Sequence, residues 1–104
     1  MAGYFIANFT IQDREKFNQY WATTPKLADF GGRALVQAGN PTVLKGKPYQ
    51  VIAIIEFESV EAAQAWYQSP EYQQALPLWL EAVEGWSLIA GDIGGLAGMN
   101  PTTS

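Results

Sequence analysis

The sequence predicts an α+β fold, a β-α-β-β-α-β chain whose antiparallel sheet carries its helices on one face, and three observations point there. Two runs, Tyr4 to Ile11 and Tyr49 to Phe57, are dense in aromatic and branched residues. The segment Ser59 to Tyr72 holds two helix starts in succession. Glycine and proline punctuate the chain at Gly31-Gly32 and Gly39-Asn40-Pro41, where strands and helices have to end. At 104 residues and 48% hydrophobic content the chain forms one domain, expected over residues 1–93.

Tyr4 to Ile11 reads as a strand with Phe5, Ala7, Phe9 and Ile11 on one face and Tyr4, Ile6, Asn8 and Thr10 on the other. Asp13 can then cap a helix reaching about Phe30, with Phe17, Tyr20, Trp21, Leu27 and Phe30 as its apolar positions. Pro25 removes a backbone donor inside it and predicts a break near Thr23 and Thr24. Gly31-Gly32 closes the helix, and Arg33 to Ala38 is the second strand. After Gly39-Asn40-Pro41, Thr42 to Leu44 suits a short edge segment and Lys45-Gly46-Lys47-Pro48 a turn. Tyr49 to Phe57 is apolar on both faces at its centre, which marks a middle strand.

Ser59 can cap the next helix, with Glu61 facing the positive end of its dipole. Ser69 caps again at once, Pro70 fits the first helical position and Glu71 repeats the acidic first turn. Trp66, Tyr67 and Tyr72 gather at the joint. The second piece is expected to reach about Glu84 with a kink at Pro77, Gly85 to close the turn, and Trp86 to Asp92 to form the last strand. Residues 94–104, rich in Gly, Pro, Ser and Thr with Leu96 and Met99 as the large apolar residues, read as a flexible or loosely docked tail.

Composition excludes several functions. Six Lys and Arg against ten Asp and Glu give a net charge of -4, without the basic face a nucleic acid requires. The chain has no Cys and no His, which removes thiol and Ser-His catalysis, the usual zinc sites and a histidine-ligated haem. The acidic positions Glu81, Glu84 and Asp92 stand too far apart to suggest a metal site. No metal or organic cofactor is expected. No apolar run approaches the roughly 20 residues of a membrane span, and no secretory leader opens the chain, so a cytoplasmic address is expected.

Right-handed crossovers place both helices on one face of such a sheet and leave the other bare. Both faces of the first and third strands are nevertheless apolar at their centres. Monomers rarely expose a patch of that size, so a homodimer that packs sheet to sheet is expected.

The runs Phe30-Gly-Gly-Arg-Ala-Leu-Val-Gln-Ala-Gly39, Ile54-Ile-Glu-Phe57 and Ser59 to Gln73, and above all Ala65-Trp-Tyr-Gln-Ser-Pro-Glu-Tyr72, closely resemble the domain-of-unknown-function family 1330. The resemblance spans about residues 3 to 92. It implies a ferredoxin-like βαββαβ sandwich of the dimeric α/β-barrel superfamily, which also holds cofactor-free monooxygenases, haem-degrading enzymes, muconolactone isomerases and chlorite dismutases. It implies no settled activity. The chain has Phe30 where members usually carry His, Trp79 where an Arg is common and Trp86 where the last strand often opens on a polar residue. Polar groups are thus exchanged for aromatic ones.

The candidate ligand-binding residues are Asn8, Tyr20, Arg33, Glu56, Trp66, Tyr67 and Trp79. Arg33, at the start of a strand, can hold a carboxylate or enolate bidentately, or pair with Glu56 or Glu58. Glu56 follows an apolar run, where a carboxyl with a raised pKa could move a proton next to a carbonyl, or is simply solvated at the strand end. Asn8 and Tyr20 can donate to a bound oxygen or satisfy local groups. The surplus of Trp and Tyr is either core or the wall of a pocket for a flat apolar ligand between helices and sheet, with Arg33 and Asn8 as its polar contacts. Two functions compete. One is a dimeric small-molecule-binding protein or cofactor-independent enzyme acting on a small apolar or aromatic compound; the other is a non-catalytic homodimeric structural or interaction module.

Overall fold

The structure, a computed structural model, describes residues 1–91, and the expected tail and Asp92 lie outside the described residues. Alternation sets the first strand, β1 (Gly3–Ile11), which buries Phe5, Ala7 and Phe9 and leaves Tyr4, Ile6, Asn8 and Thr10 half-buried on the other face. The further strands are β2 (Arg33–Gly39), β3 (Val51–Phe57) and β4 (Val83–Gly91). All pairs are antiparallel and the order is β2-β3-β1-β4, so β3 is a middle strand as its doubly apolar centre required.

The helical segments are α1 (Arg14–Thr23), a 3-10 turn at Leu27–Phe30, α2 (Val60–Gln68) and α3 (Pro70–Ala82). Asp13 caps α1 by accepting from the Lys16 amide at 3.0 Å. The helix stops at Thr23 because Pro25 disfavours a helical Thr24, whose ψ is 134°. Gly31, at φ 73°, ends the 3-10 turn in the left-handed conformation that glycine adopts without strain. Ser59 caps α2 through the Ala62 amide at 3.0 Å.

The joint between α2 and α3 rests on one buried hydroxyl. Ser69 Oγ accepts from the Tyr72 amide at 3.2 Å and donates to the Trp66 carbonyl at 2.8 Å, which serves the start of one helix and the end of the other. Trp66 and Tyr72 are thereby brought to a ring separation of 4.4 Å and are among the most deeply buried large side chains. α2 lies on β1 and β3, while α1 and α3 pack against each other. The core between helices and sheet is mostly aromatic: Phe5 and Phe57 flank Trp66, and Phe9 meets Trp79 at 4.8 Å.

Three expectations are corrected. Thr42 to Leu44 forms no strand; Asn40, at φ 51°, and Pro41 turn the chain off the sheet edge, and Leu44 stands 94% exposed. α3 ends at Ala82 rather than Glu84, because Val83 is already extended and pairs with Ile11. Gly85 therefore lies inside β4 and not in a turn. A Cβ there would stand 2.2 Å from the Asn8 carbonyl oxygen, so this crossing requires glycine. Pro77 lies inside α3 without ending it.

The Ser69 joint yields a direct test. Ser69→Ala removes both bonds and leaves the buried Tyr72 amide unpaired, while the Trp66 carbonyl keeps the Ser69 amide at 3.3 Å, so chemical denaturation should show a loss of about 2 kcal/mol. A loss below about 0.5 kcal/mol would mean that packing of Trp66 and Tyr72 alone sets the joint.

Candidate functional site

β2 is the sheet edge that the helices cover least; every residue in it but Val36 is exposed. A cleft of about 350 Å³ therefore opens beside α1 over β2 and β3, with Arg14, Phe17 and Trp21 on one wall and Gln37, Ala53 and Val51 on the other. A second cavity shares Phe9, Trp21, Gln37 and Ala53 with it and reaches in to Phe5, Tyr20, Ile55, Trp66 and Trp79. Its free volume of about 20 Å³ is the space of one water molecule. The two together make an open apolar cleft with a narrow inner end.

Trp66 is 1% exposed, and its indole Nε1 is a buried side-chain donor with no hydrogen-bond partner. Such a group costs on the order of 1–3 kcal/mol. Beside Trp66, the Tyr20 and Tyr72 hydroxyls lie 3.0 Å apart in the core. Burial pushes the Tyr20 phenol up to about 12, against a smaller opposing effect of its bond to Tyr72. Burial, reinforced by Tyr20, raises that of Tyr72 further. Both phenols hold their protons throughout the neutral range, so the pair offers neutral hydrogen bonds rather than a phenolate base.

The sequence-derived candidates fall on two sides of the sheet. Tyr20, Trp66 and Trp79 line the inner cavity. Tyr67 stacks behind Tyr72 at 4.9 Å and does not line it. Arg33, Glu56 and Asn8 lie on the opposite face, so the expectation that Arg33 and Asn8 supply the cleft's polar contacts is not met. Arg33 pairs with Glu56 across β2 and β3, its Nε 2.9 Å from Oε1, and the Tyr4 hydroxyl stands 3.5 Å from Oε2. Asn8 donates to the Val51 carbonyl at 2.8 Å. The ion-pair reading of Arg33 is the one its geometry supports, and with the Arg33 side chain 73% exposed such a pair contributes little.

Gln37 and Arg14 are the polar side chains at the cleft that sequence reasoning missed. Strict alternation along β2 would set Gln37 on the same face as Arg33. A bulge between Ala34 and Val36 shifts the period, so Gln37 pairs with Ala53 on the helix side while Arg33 pairs with Glu56 on the other.

The outer face carries its own features. Ile6, Ile54, Trp86 and Leu88 share it through the pairings of β1 with β3 and β4, and Trp86 and Leu88 are each 46% exposed. The chain from Pro41 to Lys47 lies over one end of this face beside Asn8, Ile52 and Trp86 and borders an open hollow of about 660 Å³. Lys47 ties that segment to β4 through Glu84 at 2.7 Å. Among the described residues no helix is long and apolar enough to cross a membrane.

The model of a family described as a domain of unknown function, DUF1330, matches residues 2–91. No curated protein matches the chain. Among solved structures, the RPA0582 protein of unknown function from Rhodopseudomonas palustris aligns with TM-score 0.73 at 16% identity, over 88% of this chain and 82% of that one. SnoaB, a cofactor-independent oxygenase from Streptomyces nogalater, aligns with TM-score 0.58 at 14% identity, over 88% and 92%. A dimeric protein of unknown function and ferredoxin-like fold from Bacteroides fragilis aligns with TM-score 0.52 at 16% identity, over 88% and 96%. At these identities the likeness is one of fold, and the fold is ferredoxin-like.

The tyrosine pair predicts an alkaline transition. Unfolded tyrosine titrates near 10, and the folded values are higher, so the stability contributed is complete below pH 10 and lost as pH rises through about 12. Hydrogen bonds to Glu81 and Glu84 likewise hold the Lys16 and Lys47 ammonium groups above the usual lysine value. Denaturation across pH 9 to 12 should show stability falling above about 10, and Tyr20→Phe should flatten that fall. An unchanged slope in Tyr20→Phe would take Tyr20 out of the transition and leave it to Tyr72 and the lysines.

Proposed function

This chain belongs to the DUF1330 family, and from that premise we propose that it binds, or transforms without a metal or organic cofactor, a small flat apolar or aromatic compound in the cleft beside α1. The observation that carries this reading is that Trp66, whose buried N–H has no partner, lines the inner end of a cleft otherwise walled by Phe5, Phe9, Phe17, Trp21 and Trp79. An apolar cavity with few polar groups is the usual form of a small-molecule site. The open part alone, about 350 Å³, matches a compound of two fused rings. SnoaB, alike in fold, is a cofactor-independent oxygenase, so this architecture can host chemistry that needs no His or Cys. Arg14 at the open part and Gln37 where the two parts meet are placed to orient the ligand, and the Tyr20–Tyr72 pair keeps the inner end neutral. Arg33 and Glu56 have no part in it.

The outer face favours a further element of the proposal, a second copy packed sheet to sheet. Trp86, Leu88, Ile6 and Ile54 form an apolar surface in the middle of the sheet, and relatives in fold from Bacteroides fragilis and Thermobifida fusca are dimeric. A homodimer without a ligand is the competing reading, and the narrowness of the inner cavity favours it.

Two measurements separate these readings. Titration with tetralin, 1-tetralone and 1-naphthoate, followed by tryptophan fluorescence, should give saturable binding. Trp21→Ala should weaken it about tenfold by opening the wall, while Arg33→Ala leaves it unchanged. No saturable change with any compound, in folded protein, leaves the structural module as the function. Sedimentation at micromolar concentration should give a dimer, and Leu88→Glu a monomer of unchanged helical content. A monomeric parent protein would remove the second copy.

A further inference from the structure

Resting on that reading of the cleft, we infer that its ligand carries an uncharged hydrogen-bond acceptor, a ketone, lactone or quinone carbonyl, that enters the inner end and accepts from the Trp66 indole N–H. An indole N–H donates and never accepts, so the group that meets it must be an acceptor; a hydroxyl or amine would bring a proton that itself needs a partner in the apolar inner end, whereas a carbonyl oxygen brings lone pairs alone. The side chains of the inner cavity include no Lys or Arg. A carboxylate there would be desolvated without a counter-charge, which costs far more than a neutral carbonyl. The acid-binding candidate of the sequence, Arg33, lies on the other face, paired with Glu56. The one guanidinium at the cleft, Arg14, stands at the outer part beside Phe17, with its carbon 5.9 Å from the ring centre.

One of the Tyr20 and Tyr72 hydroxyls donates to the other, Ser69 is spent on the helix joint, and Gln37 at the same cavity is an exposed residue. Trp66 Nε1 is the buried side-chain group that, among the described residues, has no hydrogen-bond partner of any kind. The inner free volume of about 20 Å³ takes a single oxygen atom but not a ring, so the ring stays in the open part between Trp21 and Gln37 while the carbonyl reaches inward. The ligand's polarity is fixed by this shape: acceptor inside, carbon skeleton outside.

The test pairs 1-tetralone with tetralin, which share the ring skeleton and differ in the carbonyl. Dissociation constants are measured for both with the parent protein and with Trp66→Phe. The ratio Kd(tetralin)/Kd(tetralone) is expected to fall about tenfold in the variant, the coupling of one neutral hydrogen bond. In protein labelled with 15N at tryptophan, the Trp66 indole resonance should move downfield with tetralone and stay in place with tetralin. It is assigned by substituting Trp21, Trp79 and Trp86 one at a time, so this readout stands even where Trp66→Phe fails to fold. Both probes binding with an unchanged ratio and an unmoved indole would overturn the inference and leave the cleft as the site, its N–H then served by a resident water. Binding of neither probe would overturn the inference together with the reading of the cleft.

Discussion

The Ser69 hydroxyl is the point on which the helical layer turns. One oxygen accepts from the Tyr72 amide and donates to the Trp66 carbonyl, so a helix ends and another begins within a single residue. Without that exchange the start of α3 would bury the Tyr72 amide without a partner, which proteins rarely tolerate. The abrupt change of direction sets the Trp66 and Tyr72 rings 4.4 Å apart. Trp66 then reaches the sheet at Phe5 and Phe57, and Tyr72 reaches α1 at Tyr20. The inner end of the cleft is the space left where these rings converge.

A four-stranded sheet with helices on one side divides its chemistry by face. On the helix side the residues are aromatic and neutral, and the charges stay at the mouth. On the other side an apolar centre formed by Ile6, Ile54 and Leu88 is bordered by polar groups: Arg33 with Glu56 at one end and Lys47 with Glu84 at the other. Ion pairs this exposed contribute little to stability. Their placement at the rim of an apolar surface instead suits orientation of a partner, since charges at a border set register more than affinity.

The cleft exists because β2 is short of cover. α1 and α3 pack on each other, and α2 sits on β1, β4 and β3, which leaves the edge strand β2 open beside α1. The bulge at Leu35 adds to this by reversing the faces of the strand midway. It turns Gln37 toward the helices and leaves Leu35 itself 47% exposed. A regular strand in the same place would set Gln37 beside Arg33 and take from the cleft its central polar side chain.

What the sequence determined by itself was local. Caps at Asp13, Ser59 and Ser69, the break before Pro25 and the left-handed Gly31 each follow from a residue's own backbone preference or from a bond within a few positions, so they were legible, and the order of strands and helices with them. The resemblance carried by Ala65 to Tyr72 named the family and the ferredoxin-like fold. Alternation also separated Asn8 from Phe9, but both sets in β1 are rich in apolar residues, so the pattern did not say which face the helices cover. Only the tertiary structure decided that. It placed Arg33, Glu56 and Asn8 away from Trp66, made Gly85 a crossing rather than a turn, and left one indole N–H unpaired. The physical reason is that face, register and hydrogen-bond satisfaction belong to pairs of segments distant in the chain, and no single segment encodes its partner.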